Sequence, residues 1–429
     1  LIVSSGATAN ATNIVSFTAG AGSSNSSGTV NLTTQTGGGT INMNAASGDY
    51  KINGQGGVDS LTGGGGADII NGGANADNIS GGNGDDVLSG GADNDSLTGG
   101  AGTDTFKVDV GTDTITDLGG ASGGETDVLI VSAGATANAT NIASFTADSS
   151  TSNSGTANLT TKVGGGTIDI GNSTTGAYSL TGLSGNDTLK GNGNADIING
   201  GGGDDNIDGR GGNDEINAGA GDDIITVSSA GQGDGDTIDG GSGTDTLSLS
   251  SGSHAFATDA KLQNINSITL ASTSTVIDLT GQTESLSITG GAQADTITAG
   301  SGDDIINGAG GADIIKGAGG IDTISLGSSD SASDIIIFDA SSGMDIIQQF
   351  TAGATNGDIL KYIGNLTDSE SSANTSTGSD NTDNLLSADF VANAKNSSLD
   401  ITHLVVGFTT AITVNGQSGG TAIDFTGAG

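Results

Sequence analysis

Residues 54–107 repeat one nine-residue frame without a break: GQGGVDSLT, GGGGADIIN, GGANADNIS, GGNGDDVLS, GGADNDSLT and GGAGTDTFK. Every copy starts with glycine-rich residues, places aspartate sixth and carries an aliphatic or aromatic residue eighth. A fixed period of this length implies one short structural unit stacked on itself, not a globular core closed by irregular loops. Glycine permits the positive φ values that reverse a chain within a few residues. The last three positions read as a short strand whose middle side chain points inward and whose neighbours point outward. On that reading Leu61, Ile70, Ile79, Leu88, Leu97 and Phe106 face the interior.

The frame holds in three blocks. Within 54–116 it places Asp59, Asp68, Asp77, Asp86, Asp95, Asp104 and Asp113; within 182–248, Asp187, Asp196, Asp205, Asp214, Asp223, Asp236 and Asp245; within 290–350, Asp295, Asp304, Asp313 and Asp322. Connectors occupy 1–53, 117–181 and 249–289, and a C-terminal region occupies 351–429. LIVSSGATANATNI at 1–14 returns as LIVSAGATANATNI at 129–142, and the match continues through Tyr50 and Tyr178 to ADIINGG at 67–73 and 195–201. A connector followed by a block has therefore been duplicated as a unit. The chain opens where the second copy continues from GGETDV, so further sequence is expected before residue 1.

The connectors are not featureless. VNLTT (30–34), TINMN (40–44) and YKING (50–54) alternate like strands, and Ile268/Leu270, Ile277/Leu279 and Leu286/Ile288 recur at solenoid spacing without the aspartates. A β-helix continuing through them is expected, the alternative being a flexible linker. After 325 the pattern loosens; 367–384 reads as a loop, and 404–408, 411–416 and 422–427 read as strands.

Composition narrows the function classes. The 429 residues include 80 Gly, no Pro, Cys or Trp and only 3% aromatics, too little for one large core of bulky side chains. Formal charge is −40, and the acids are 45 Asp against 4 Glu. Asp is short and suits turns and hard-cation sites, whereas a solvated helical face would favour Glu. High charge with few aromatics also describes acidic disordered chains, but here the aliphatic residues are periodic, not depleted. Nine scattered Lys and Arg argue against a nucleic-acid partner, and no apolar run is long enough to span a bilayer. Absence of Cys removes any disulfide framework and fits a secreted bacterial protein stabilised in another way. The two histidines, His254 and His403, form no H-E-x-x-H, and the G-x-S-x-G matches at 120–124 and 416–420 lack the strand and helix of a nucleophile elbow. No catalytic constellation is found, and the chain is read as a non-enzyme. N-x-S/T sequons such as those at Asn10, Asn31 and Asn138 follow from the abundance of these residues.

With the nonapeptides in place, the chain resembles the RTX family, whose G-G-x-G-x-D-x-U-x repeat forms a calcium-binding β-roll. The resemblance implies an all-β fold: a right-handed parallel β-roll or β-helix solenoid with three calcium-binding blocks joined by metal-poor β-helical connectors. Two nonapeptides make one coil, so aspartates 18 apart stack in columns, 59/77/95/113 on one edge and 68/86/104 on the other. Carboxylates about 5 Å apart repel by roughly 3 kcal/mol per pair at an effective dielectric near 20. Ca2+, which takes six to eight oxygens in flexible geometry from carboxylates and turn carbonyls, would relieve this. All eighteen aspartates are accordingly the expected calcium ligands. The plainer reading, that Asp only caps its own turn, leaves an acid at every ninth residue unexplained. Cations, not an apolar interior, are then expected to cement the coils. Chelation, or acid that protonates the columns, is expected to unfold them, and Mg2+ to substitute poorly.

Within that family the Ser/Thr/Ala/Gly-rich connectors and lack of Cys look most like the calcium-dependent surface-layer proteins of the Caulobacter type. That resemblance implies an extracellular, cell-surface protein exported by a type I secretion apparatus on an uncleaved C-terminal signal. It also implies folding outside on meeting calcium and self-assembly into a lattice or filament on the cell, where surface polysaccharide is a candidate partner. An RTX adhesin or biofilm-matrix protein, and the non-catalytic RTX part of a larger secreted hydrolase or toxin, are the alternatives.

Overall fold

The computed structural model describes residues 1–120, 126–228, 235–256, 258–327, 332–338, 345–349 and 358–362, with the backbone of strands Thr413–Asn415 and Ala422–Asp424. The loop expected at 367–384, the strand expected at 404–408, His403 and most of the region assigned the export signal lie outside the described residues. The chain is an all-β parallel solenoid, built as two units, Leu1–Ile225 and Thr226–Gly429. The division falls inside the second block of repeats, not at a connector.

In the first unit one ladder takes a strand from each successive coil: Thr8–Ile14, Thr29–Thr34, Lys51–Asn53, Ile69–Ala74, Val87–Ala92, Thr105–Val108 and Val128–Val131. A second ladder begins Ser16–Thr18, Thr40–Asn42, Ser60–Thr62, Asn78–Asn83, Ser96–Ala101 and Thr112–Ile115, and continues through Thr136–Ile142, Thr156–Thr161 and Tyr178–Thr181. A third starts at Ser144–Thr146 and runs by Thr167–Asp169 and Thr188–Lys190 to Asn206–Asp208. Pairing is parallel and in register, Asn78 opposite Ser96 and Leu88 opposite Phe106, so the 18-residue coil is the structural repeat.

The described residues of 1–53 and 117–181 lie in solenoid coils too, and their coils are longer. Thr8 pairs with Thr29, Thr40 with Ser60, Thr105 with Val128 and Thr112 with Thr136. The duplication extends to backbone detail. Both copies shift register, between Ala11 and Ile14 and between Ala139 and Ile142, and both hold an asparagine at positive φ there, Asn13 at 59° and Asn141 at 62°. Asn tolerates the left-handed region better than other residues with a Cβ.

The second unit repeats the plan. One ladder runs Thr246–Leu249, Ser267–Leu270, Ser287–Thr289, Ile305–Asn307, Thr323–Ser325 and Ile346–Gln348, and another runs Gly252–Ala255, Thr275–Asp278, Thr296–Thr298, Ile314–Lys316, Ile335–Phe338 and Ile359–Tyr362. Strand Thr413–Asn415 extends the first of these in parallel, and Ala422–Asp424 closes it antiparallel. The described residues contain one short 3-10 turn, Asp259–Lys261. None of their helices is long and apolar enough to cross a membrane.

The interior corrects one expectation. Leu61, Ile79, Leu97 and Ile115 stack on the inner side of the second ladder, and Ile70, Leu88, Phe106 and Leu129 on that of the first, all at most 1% exposed. A continuous apolar interior is therefore present, with one large side chain from most strands and two from some, such as Phe106 with Val108 and Leu129 with Val131. At roughly 1.5–3 kcal/mol for each fully buried aliphatic side chain, it is a principal source of cohesion. The alternation that buries it leaves both neighbours of each core residue outside, as the pattern exposed–buried–half-buried at Ser60–Thr62 shows.

Leu97→Ala should lower the unfolding free energy of the calcium-loaded protein by about 2–5 kcal/mol, because neighbours above and below hold the cavity open. Ser60→Ala, on the outer face, should change it by no more than about 0.5 kcal/mol. Denaturant unfolding followed by far-UV circular dichroism checks both.

Candidate metal centre

Each repeat places its aspartate at the entry to a strand, one residue before the outward position and two before the buried aliphatic one. All eighteen nonapeptide aspartates are at most 3% exposed. The 18-residue coil stacks them as expected. The backbone N–H of Asp59 donates to Asp77 Oδ1 at 2.8 Å, that of Asp77 to Asp95 at 2.8 Å and that of Asp95 to Asp113 at 3.0 Å. On the other edge Asp68 donates to Asp86 at 2.6 Å and Asp86 to Asp104 at 2.8 Å. The same linkage joins Asp187 to Asp205, Asp205 to Asp223, Asp196 to Asp214, Asp295 to Asp313 and Asp304 to Asp322.

One carboxylate oxygen therefore caps backbone, but in the preceding coil and not in its own turn. The other faces a different environment. Oδ2 of Asp59, Asp77, Asp86, Asp95, Asp113, Asp187, Asp205, Asp304 and Asp322 is buried and accepts no hydrogen bond. At Asp59, Asp77, Asp86, Asp187 and Asp205 it lies against the first glycine of its own repeat, where a carbonyl of the next coil also converges. A Cβ built on Gly81 would collide with Asp86 Oδ2 and be 2.5 Å from the Gly99 carbonyl oxygen; one on Gly54 would be 2.6 Å from Asp59 Oδ2 and collide with the Gly72 carbonyl oxygen. Glycine permits the close approach at Gly54 and Gly81, and Gly82 takes φ +112° at the next position, where Gln55, Arg210, Ala309 and Ala318 also adopt positive φ in other repeats.

These oxygens suit a hard cation. Among the described residues no three acidic or histidine side chains gather into a carboxylate-rich cluster, so the remaining ligands have to be main-chain carbonyls, which Ca2+ accepts readily. The electrostatics point the same way. Burial, and after it neighbouring carboxylates, push Asp77 up to about 7, Asp86 up to about 8, and Asp113 and Asp322 up to about 7, against the N–H bonds that favour the ionised form. Burial likewise raises Asp68, Asp196, Asp205 and Asp304 to about 6. A column ionised at neutral pH calls for positive charge beside it.

Four column members escaped the sequence reading. Asp127 Oδ1 accepts from Asp104 N–H at 2.8 Å and its Oδ2 from Gly119 N–H at 2.7 Å. Asp334, Asp345 and Asp358 accept in turn from Asp313, Asp322 and Asp334. Their separations of 21–24 residues break the nonapeptide count. The usable signal was local: each stands two residues before an aliphatic residue, as in DVL, DII, DII and DIL. The column that reaches Asp245 passes to an amide, Asp245 N–H donating to Asn266 Oδ1 at 2.7 Å. His254 is buried within the second unit and pairs with the Ser250 carbonyl, away from any acidic cluster among the described residues.

The RTX calcium-binding nonapeptide repeat model matches residues 53–88, 80–115, 174–207, 199–229, 230–253 and 289–324. The chain carries RTX repeats. Such repeats bind Ca2+ at multiple sites, and they imply a secreted protein with a structural or adhesin-like role. RTX β-rolls are typically non-catalytic. No curated protein matches the chain.

Asp86→Asn keeps an oxygen for the Asp68 N–H but removes the charge. It should bind fewer calcium ions in isothermal titration while raising the stability of the metal-free protein at pH 8. Asp86→Ala abandons that N–H as well and should cost about 1–3 kcal/mol with or without metal.

The raised values also settle the response to acid. A buried carboxyl with a folded pKa above its unfolded value near 4 contributes stability that is complete below pH 4 and lost as pH climbs through 6 to 8. The expected acid unfolding is thus reversed in sign for the metal-free chain. Protein stripped of calcium should show more β-structure and a higher Tm at pH 4.5 than at pH 8, and added calcium should raise Tm most at pH 8.

Proposed function

We propose that this protein is a secreted structural protein whose rolls fold on extracellular calcium and assemble into a surface layer or filament. The carrying observation is the column of buried aspartates, with one oxygen committed to the neighbouring coil and, at Asp59, Asp77, Asp86, Asp187 and Asp205, the other lacking a donor beside a turn carbonyl. In this reading all eighteen nonapeptide aspartates are calcium ligands, completed by carbonyls of the glycine turns. Metal binding then contributes directly to folding free energy. In low calcium at neutral pH the ionised columns oppose folding, which keeps the chain extended for a type I export channel. At millimolar calcium outside the cell they favour it. A long solenoid offers extended repetitive surfaces, as a lattice or filament needs, and surface polysaccharide is the candidate anchor.

A second reading has its own support. The near-identity of residues 1–14 with 129–142 is the mark of recent tandem duplication, which suits an RTX adhesin that spans distance by adding units.

Sedimentation velocity and negative-stain microscopy of the purified chain decide between them. In millimolar calcium the expected result is ordered sheets or fibres that disperse on chelation and do not return with magnesium alone. A chain that folds with calcium but stays monomeric at every concentration would remove the assembly role and leave the adhesin reading.

A further inference from the structure

The outer side of the second ladder in the first unit carries no charge over nine consecutive coils. One rank of side chains runs in register from Ser16 to Ser179 through Asn78, Ser96, Thr114 and Asn138, and every member is Ser, Thr or Asn. A second rank two residues on runs from Thr18 through Asn42, Thr62, Ser80 and Thr98 to Thr181 with the same composition. The hydroxyls of Thr98 and Thr116 lie 2.9 Å apart along it. The pattern stops at the next strands, where Ile197 and then Glu215 take the first rank. The other ladders of the unit do not share it. Lys51, Ile69 and Lys107 face outward on the first, and Asp169, Lys190 and Asp208 on the third. In a chain of formal charge −40, a neutral strip of this length is a specific feature.

We infer that this strip is the surface through which a second copy of the chain docks, face to face, in the assembly proposed above, on which the inference rests. Two copies carrying the same large negative charge repel wherever carboxylates are opposed. Within the two ranks no carboxylate is opposed; charged side chains such as Asp117 and Lys162 stand at the strand ends, and more distant charges are screened over a Debye length of about 8 Å at physiological salt. Ser, Thr and Asn present donors and acceptors together, so a strip of them can satisfy its own image, and their short side chains lose little rotamer freedom when ordered. Ladders of such residues form closely interdigitated sheet interfaces. The strip has no aromatic platform for sugar rings and no basic side chain for an anionic partner. At about 4.8 Å per strand it is roughly 40 Å long, and with two ranks it buries on the order of 1,000 Å² across both copies, the lower limit for a specific contact. Such a contact is reversible alone and gains strength when many are made together.

The chain has no cysteine, which permits a direct test. Ser96 is the midpoint of the first rank, so in a two-fold face-to-face pair it meets its own copy. In calcium, Ser96→Cys should give covalent dimers with a short bis-maleimide, while Thr188→Cys, on the third ladder, should not. Independently, the double variant Ser60→Asp/Ser96→Asp should lose calcium-dependent assembly in sedimentation velocity with unchanged circular dichroism and calcium-dependent Tm. Cross-linking at both cysteines alike, or an acidic variant that assembles like its parent, would overturn the inference while leaving assembly in place. A parent chain that stays monomeric in calcium would overturn both. Binding of a neutral polysaccharide that the acidic pair abolishes without altering sedimentation would give the strip to a glycan and overturn the self-docking contact.

Discussion

A carboxylate buried between coils is the constraint on which the rest of this fold depends. Its Oδ1 holds the main chain of the preceding coil, Asp59 to Asp77 to Asp95 to Asp113, so deleting it breaks the stack. Its charge, taken from water and repeated at every coil, opposes that same stack. The conflict has two resolutions, a proton or a divalent cation, and pKa values raised to about 7 and 8 at Asp77 and Asp86 put the choice between them near neutral pH. The repeat is thus favoured with its carboxylates protonated or calcium-bound and disfavoured with them ionised without metal.

The apolar ladder and the aspartate columns divide the work by direction. Leu61, Ile79, Leu97 and Ile115 supply cohesion that depends little on conditions. The columns supply cohesion that depends on what fills them. Most strands give one large side chain to the interior and some give two, so the apolar contribution per coil is limited and has to offset the ordering of about eighteen residues, many of them glycine. That balance explains why a calcium requirement is compatible with a dry core: the core is real but thin.

The nonapeptide frame makes the coil length, the inward residues and the column order readable in advance, because each follows from a period that the residues display. The parallel solenoid passing through 1–53 and 117–181 was harder to read, since coils of 20–24 residues keep the alternation but lose the count. Asp127, Asp334, Asp345 and Asp358 were missed for the same reason; they retain the local aspartate-strand pattern and lose only their spacing. The capping role of Oδ1 was looked for within the turn and lies between coils, a distinction that only three-dimensional stacking makes. The pH response depends on burial and on metal: acid that protonates a calcium-filled column releases its ligands, whereas a buried column without metal is relieved by protonation.

The formal charge of −40 also means something different once the fold is known. Of the acids, eighteen aspartates of the repeats and four that extend the columns are buried in the stack. Neutralising these twenty-two, by calcium or by protons, takes the formal charge to about −18. The extended chain therefore repels itself and its neighbours far more strongly than the folded one does. Filling the columns acts twice: it closes the coils, and it lowers the repulsion that keeps copies apart. In the proposed assembly, a face free of charge, such as the Ser/Thr/Asn strip, would become an effective contact only after that second change. In the proposed assembly, folding and association would then answer to the same ion without any calcium having to sit at the contact itself.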